Sequence, residues 1–229
     1  MITGASRGIG LETAKMLSSG TSPFDTVVMV ARASAHFEAA VDSVRAGAGN
    51  RRVLAAPTDL EVPSKVDALF DFLNAQDIKL STIINNAGMT IPASINESTL
   101  ADFERTMRVN VYSPYRIIQA CLHHNHPLEQ IVNIASTAGI TGRAGWLTYS
   151  ASKAAMVNMS EVLREELAPY DIDVICLSPG RCATDLRRKL APDEDPTTIM
   201  QPEQVAEVIA LMTSPTGKLL KFHNLVVRT

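Results

Sequence analysis

The sequence has few of the features that mark several large classes of protein. Its three cysteines (Cys121, Cys176 and Cys182) are an odd and sparse set, which disfavours a secreted disulfide scaffold and favours a reducing, cytoplasmic location. No apolar run approaches the ~20 residues of a membrane span, so no membrane partner is expected. Lys and Arg number 21 against 24 Asp and Glu, and this lack of a basic excess argues against a nucleic-acid partner.

Short apolar runs alternate with longer amphipathic ones along the whole chain. The 229 residues, 46% apolar and 20% charged, suit one globular domain spanning residues 1–229. Uncharged β-branched runs are typical of strands buried on both faces, so the alternation predicts an α/β fold: a doubly wound parallel sheet with helices on both faces. Strands are predicted at 26–30, 52–56, 80–84, 130–135, 171–177 and 219–227, and helices at 11–19, 34–46, 64–74, 100–122, 147–167 and 202–212.

Residues 3–10 (TGASRGIG) place three glycines just before the first predicted helix. A dinucleotide pyrophosphate binds backbone N–H groups at a helix N-terminus, where side chains would block its approach. The spacing G-x-x-x-G-x-G also occurs in plain tight turns, but its position at the start of an alternating chain favours cofactor binding. The candidate cofactor-binding residues in this turn are Gly4, Ser6, Arg7, Gly8, Ile9 and Gly10.

The end of the second predicted strand lacks the acid that would bind the ribose 2′-hydroxyl of NAD. Ala31 and Arg32 stand there instead, and Arg7 lies within the glycine turn. Because guanidinium groups match phosphate geometry, two of them near the ribose favour the 2′-phosphate of NADP(H). The alternative is that Arg32 only begins a solvated helix.

Tyr149 and Lys153 are four residues apart, so on a helix they share one face. A free tyrosine has a pKa near 10, and a neighbouring ammonium is expected to lower the pKa of Tyr149. Ser136 follows the predicted strand 130–135, where its hydroxyl is placed to hold a carbonyl oxygen beside Tyr149. Each residue alone is more often a packing or turn residue, but their combination favours catalysis.

Six motifs occur in order: TGASRGIG at 3–10, NNAG at 85–88, Asn110, Ser136, YSASK at 149–153 and PG at 179–180. Together they resemble the short-chain dehydrogenase/reductase family over essentially the whole chain, and its NADPH-dependent 3-oxoacyl-carrier-protein reductases in particular. The resemblance implies a Rossmann-like sheet of about seven strands and an NADP(H)-dependent reduction of a ketone to a secondary alcohol. It also implies that Tyr149 donates the proton, that Lys153 reaches the nicotinamide ribose, and that Asn110 holds a relay water at a helix kink.

The resemblance assigns further cofactor contacts beyond the glycine turn. Asp59 matches an acid that contacts the adenine ring, although an ordinary loop acid is the alternative. Thr184 matches a residue that touches the nicotinamide amide. The cofactor-binding residues implied in this way are Asp59, Asn86, Ala87, Gly88, Tyr149, Lys153, Pro179, Gly180 and Thr184.

The resemblance implies that segment 181–200 is a loop that closes over the substrate. Its basic run at 187–189 is either a solvated helix face or a contact for an anionic group. Trp146 either lines the pocket or packs. The candidate substrate residues are Ser136, Trp146, Tyr149 and Arg187.

Three functions remain open at this point. The substrate is a 3-oxoacyl thioester on a carrier, or a small anionic ketone such as a ketose phosphate. The third alternative is an NADP-binding regulator without catalysis, which the retained Asn110, Ser136, Tyr149 and Lys153 disfavour.

The resemblance implies a homodimer or homotetramer that pairs the helices at 100–122 and 147–167. No metal site is expected, because the histidines at 123, 124 and 126 have no completing ligands.

The strand before the glycine turn is unusually short. A central strand normally has ~5–6 residues, whereas only Met1, Ile2 and Thr3 precede the turn. We therefore expect the first strand to be clipped and the native chain to extend upstream.

Overall fold

The computed structural model describes residues 1–20, 22–219 and 224–228. All of its described strands pair in parallel in one seven-stranded sheet, which confirms the predicted doubly wound α/β fold. The strands are β1 (Ile2–Thr3), β2 (Thr26–Ala31), β3 (Arg52–Pro57), β4 (Thr82–Asn85), β5 (Gln130–Ile134), β6 (Asp173–Pro179) and β7 (Asn224–Val227). Their order is β3-β2-β1-β4-β5-β6-β7, so the direction of winding reverses at β1 and β4, where α/β sheets build their ligand crevices.

Eight α-helices connect the described strands. They are α1 (Gly8–Leu17), α2 (Ala35–Gly47), α3 (Pro63–Ala75), α4 (Leu100–Met107), α5 (Ser113–His123), α6 (Leu147–Leu167), α7 (Asp185–Leu190) and α8 (Pro202–Met212). The bounds of α6 and α8 are those that the sequence predicts. Two features differ from the prediction: the helix expected at 100–122 is interrupted, and α7 lies in a segment expected to be a loop.

The interruption is five π-helical residues, Arg108–Tyr112, between α4 and α5. Its cause is visible in the sequence, because Pro114 has no N–H to donate to the carbonyl of Asn110 four residues earlier, and its ring crowds that carbonyl. The wider π turn accommodates this local mismatch. Asn110, at the centre of the π segment, is therefore held in a backbone geometry that a regular helix would not give it.

Two apolar cores lie on opposite faces of the sheet, as the alternation of β2 shows. Val27 and Met29 point into one core with α1, α2 and α8, whereas Val28 and Val30 point into the other with α3 and α5. Successive residues of a strand face opposite sides, so a strand between two helical layers must be apolar throughout. The three cysteines are free and buried.

The last strand is shorter than predicted. The predicted strand at 219–227 begins at Asn224 in the structure, and residues 220–223 lie outside the described part of the chain. Of the helices that the structure describes, none is both long and apolar enough to cross a bilayer.

Candidate active site

One cleft of about 890 Å³ opens at the carboxyl ends of the central strands. It brings together all but two of the residues predicted from the sequence to form the site; Gly10 and Asn110 lie behind its wall. The predicted residues that line it are Gly4, Ser6, Arg7, Gly8, Ile9, Arg32, Asp59, Asn86, Ala87, Gly88, Ser136, Trp146, Tyr149, Lys153, Pro179, Gly180, Thr184 and Arg187.

The glycine turn has the geometry that a dinucleotide pyrophosphate requires. Gly4 and Gly8 adopt φ values of +67° and +55°, which side chains disfavour, and a Cβ on Gly10 would lie 2.4 Å from the carbonyl oxygen of Gly4. Arg7 precedes α1 in an extended conformation and gives the helix no side-chain cap. The first N–H groups of α1 are thus left for an anion, and these residues fit a dinucleotide cofactor.

Thr3 ties the glycine turn to the next strand, a role that the sequence reasoning missed. Its hydroxyl accepts hydrogen bonds from the N–H groups of Asn86 and Ala87 at 3.0 and 2.9 Å. Asn86 Nδ2 donates in return to the Thr3 carbonyl at 2.9 Å. The sequence signal for this role was a polar residue at the end of an otherwise apolar, buried strand, since such a side chain needs local hydrogen-bond partners.

The two arginines expected at the ribose have different surroundings. Arg7 Nη1 pairs with Asp185 Oδ2 at 3.0 Å, across the cleft at the start of α7. Arg32 is exposed at the cleft and makes no ion pair with any residue that the structure describes. Nearby, Asp59 accepts a hydrogen bond from the Glu61 N–H at 3.0 Å. Arg32 is thus the guanidinium free to meet a 2′-phosphate.

Ser136, Tyr149 and Lys153 converge where β5 ends against α6. Tyr149 and Lys153 are buried, on the same face of α6, and Lys153 Nζ lies 5.8 Å from the centre of the Tyr149 ring. Lys153 Nζ also donates a 2.7 Å hydrogen bond to the Ile134 carbonyl. The Ser136 hydroxyl accepts a hydrogen bond from the Ala138 N–H at 3.1 Å. It is also close enough to the Tyr149 hydroxyl for a side-chain hydrogen bond, which lowers the pKa of Tyr149.

The expectation that the pKa of Tyr149 is lowered is wrong, because burial outweighs the effects of the neighbouring groups. Burial raises the pKa of Tyr149 to about 12, and the opposing effects come from Ser136 and from the charge of Arg187. Burial also lowers the pKa of Lys153 to about 8, because a buried ammonium loses its hydration. Tyr149 is therefore a phenol at neutral pH, the state that a proton donor needs.

Asn110 connects the floor of the cleft to α6. Its Oδ1 accepts from the Met89 N–H at 2.8 Å, and its Nδ2 donates to the Met89 carbonyl and to Ser152 Oγ at 3.0 and 2.9 Å. A Cβ on Gly88 would lie 3.6 Å from Lys153 Nζ and 3.7 Å from Asn110 Oδ1, so Gly88 leaves open the space between these two groups.

Gly139 is a second residue that the sequence reasoning missed. A Cβ there would lie 2.5 Å from the Lys153 carbonyl carbon and 2.7 Å from the Ala154 nitrogen. The segment after Ser136 can therefore approach the backbone of α6 only with glycine at this position. This contact sets the distance between Ser136 and the Tyr149–Lys153 pair.

The segment expected to close over the substrate contains the short helix α7. Thr184 caps it by accepting a hydrogen bond from the Arg187 N–H at 3.2 Å, and a Cβ on Gly8 would lie 3.3 Å from the Thr184 methyl group. Asp185 in the first turn and the basic run 187–189 in the last turn match the helix dipole, which explains why this polar segment is helical.

Comparisons with known proteins agree with this geometry. The chain is 29% identical to a 3-oxoacyl-acyl-carrier-protein reductase of Synechocystis over 225 residues, covering 95% of this chain and 90% of the relative. A short chain dehydrogenase from Burkholderia cenocepacia, solved in complex with NADP, is 28% identical with a TM-score of 0.86, covering 99% of this chain and 94% of that one. A metagenomic blue fluorescent protein solved with NADPH is 26% identical, with a TM-score of 0.85 over 99% of this chain and 94% of that one.

The family model for short chain dehydrogenases matches residues 1–195, which hold the glycine turn, Asn110, Ser136, Tyr149 and Lys153. The chain therefore belongs to the short-chain dehydrogenase family of oxidoreductases.

Proposed function

We propose that this chain is an NADPH-dependent oxidoreductase that reduces a ketone to a secondary alcohol, with Tyr149 as the proton donor. The observation that carries the proposal is the buried Tyr149 phenol in the cleft, beside the Ser136 hydroxyl and one turn of α6 from Lys153. NADPH, when bound, supplies the hydride that the carbonyl carbon receives.

The residues of the cleft supply proton transfer, charge stabilisation and positioning. Ser136 and Tyr149 donate hydrogen bonds to the substrate carbonyl oxygen, and Tyr149 then gives up its proton as the alkoxide forms. The Lys153 ammonium would stabilise the phenolate that forms as the proton leaves, and it would hold the nicotinamide ribose of bound NADPH. Asn110 is a positioning residue, because both ends of its amide are engaged with Met89 and Ser152. In the proposed relay, water between Asn110 and Lys153 returns a proton to Tyr149 past Gly88.

Two observations support NADPH over NADH. Similar structures are solved with NADP or NADPH. In this chain, Arg32 stands at the end of β2 and forms no ion pair with the described residues, whereas an NAD site would carry an acid there. The cofactor contacts predicted from the sequence, apart from Gly10, are among the residues that line the cleft, which supports the proposal.

A 3-oxoacyl thioester is the substrate that the similarity to the Synechocystis reductase favours. A small anionic ketone would need a free cation close to the reacting carbonyl, but Arg187, the arginine whose charge acts on Tyr149, is engaged with Glu194. A regulator without catalysis would have no need of the buried Tyr149–Lys153 pair. NADPH consumption across ketone classes, with free and carrier-bound substrates, tests the proposal. Turnover of a ketone supports it, whereas tight NADPH binding without any turnover would favour the regulator.

We also propose a homodimer or homotetramer, in a reducing cytoplasmic compartment. The helices expected to pair carry exposed apolar side chains, namely Leu100, Tyr112, Tyr115 and Val162. Light scattering on the eluting protein gives the assembly as a multiple of 24.7 kDa, and a monomer at micromolar concentration would contradict this assembly.

A further inference from the structure

Two arginines flank Trp146 where the substrate would enter the cleft. The guanidinium carbons of Arg143 and Arg187 lie 5.2 and 5.3 Å from the centre of its ring, and all three residues line the cleft. Arg143 is exposed and makes no ion pair within the described ranges. Arg187, in contrast, is only 13% exposed and is the nearer of the two to the chemistry, since its charge acts on Tyr149.

The guanidinium of Arg187 is occupied by a carboxylate from outside the cleft lining. Its Nε and Nη2 donate to the two carboxylate oxygens of Glu194 at 2.5 and 2.7 Å, and Glu194 is 16% exposed. Arg181 Nη1 approaches the same carboxylate at 3.4 Å. These hydrogen bonds and charges lower the pKa of Glu194, so it stays ionised at neutral pH. Bidentate pairs of this kind are strong, and a competing anion must displace one.

We propose that Glu194 determines substrate specificity by occupying Arg187, the arginine nearer to Tyr149, so that the position beside Arg187 takes an uncharged group next to the reacting carbonyl and disfavours a carboxylate or phosphate there. A substrate anion beside Arg187 meets a guanidinium whose Nε and Nη2 already donate to Glu194, so it loses hydration without gaining those hydrogen bonds. It is also repelled by the Glu194 carboxylate. The inference rests on the proposed function and deepens it: the substrate is neutral beside its ketone, as an oxoacyl thioester is.

The test compares one ketone in neutral and charged form, ethyl 3-oxobutanoate and 3-oxobutanoate, in the wild type, Glu194→Gln and Asp193→Asn. Asp193→Asn is a matched control, because it removes one negative charge from the adjacent, exposed position. The wild type is expected to prefer the ester in kcat/KM. Glu194→Gln lowers that preference at least about tenfold, mainly through a lower KM for the carboxylate, and Asp193→Asn leaves it unchanged. An unchanged preference in Glu194→Gln, or an equal change in Asp193→Asn, would overturn the proposal.

The lowered ester preference of Glu194→Gln must also depend on Arg187. In an Arg187→Met background, Glu194→Gln is expected to change the ester preference by no more than about threefold, because the main cation that it frees is gone and only the repulsion by Glu194 and the weaker contact with Arg181 are removed. A merely structural role of Glu194 predicts the opposite, namely the same change in both backgrounds, and that result would also overturn the proposal.

A binding measurement separates this inference from the proposed reaction. Trp146 is the only tryptophan of the chain, so its fluorescence reports a ligand arriving beside Arg187. Titration of the full chain with 3-oxobutanoate is expected to give at least about tenfold tighter binding to Glu194→Gln than to the wild type. This result without turnover of any ketone would refute the reaction and support the selection by charge. If the ester is turned over and both proteins bind the carboxylate equally, the reaction is supported and the selection by charge is refuted.

Discussion

Lys153 Nζ donates a 2.7 Å hydrogen bond to the carbonyl of Ile134, the last residue of β5, and lies 5.8 Å from the centre of the Tyr149 ring. This contact fixes the ammonium against the sheet at a buried position. The same burial lowers the pKa of Lys153 to about 8 and raises that of Tyr149 to about 12. Near neutral pH both groups carry their protons, which is the state required to reduce a ketone.

The first prediction concerns the fall of kcat/KM at alkaline pH, the alkaline limb of the pH–rate profile. Because the pKa of Lys153 is lowered, its charge is present below about pH 8 and lost above it, while Tyr149 stays protonated throughout this range. The kcat/KM for the ketone is therefore expected to be level up to about pH 8 and then to fall ~tenfold per pH unit. Lys153→Met should give a lower rate without this limb. A limb that persists in Lys153→Met would assign the titration to another group.

The second prediction concerns Gly139. Alanine there would place its Cβ 2.5 Å from the Lys153 carbonyl carbon, so α6 must shift. Gly139→Ala is expected to lower the free energy of unfolding by about 1–3 kcal/mol and to reduce kcat, as followed by urea unfolding and NADPH consumption. Gly142→Ala is the control, because a Cβ there has no described heavy atom within 4 Å. Equal stability of the two variants would contradict the close packing.

The third prediction concerns cofactor choice. Arg32→Asp replaces the free guanidinium with the acid that suits a ribose 2′-hydroxyl, so the NADPH/NADH ratio in kcat/KM is expected to fall by about 10–100-fold. Arg52→Asp makes the same change of charge on β3, outside the cleft lining, and should leave the ratio unchanged. An unaltered ratio in Arg32→Asp would remove Arg32 from the cofactor site.

Much of the fold was predictable because its signals are local. The bounds of α6 and the order of strands and helices follow from apolar patterns. The interruption at Asn110 was present in the sequence as Pro114, but its form as a π segment depends on packing around α5. The sequence indicated the helix α7 only as one alternative, a solvated helix face at 187–189, because the helix is six residues long and polar; its further signals are the capping residue Thr184 and its charges.

The electrostatics of the site were less predictable, because they depend on burial and on residues distant in sequence. The four-residue spacing predicted that Tyr149 and Lys153 share one face. It did not predict the desolvation that raises the pKa of Tyr149, against the expected direction, and lowers the pKa of Lys153. The ion pair of Arg187 was equally unpredictable, since nothing in the sequence indicates that it pairs with Glu194 seven residues later. Side-chain contacts of this kind need the structure.

The replacement Tyr149→Phe tests the central claim most directly, because it removes the one hydroxyl assigned to proton transfer and keeps the buried aromatic ring. With a ketone that the wild type reduces, kcat/KM is expected to fall about 10³-fold, while the Kd for NADPH, measured separately by fluorescence, stays within about threefold of the wild type. Undiminished reduction by Tyr149→Phe would contradict the account.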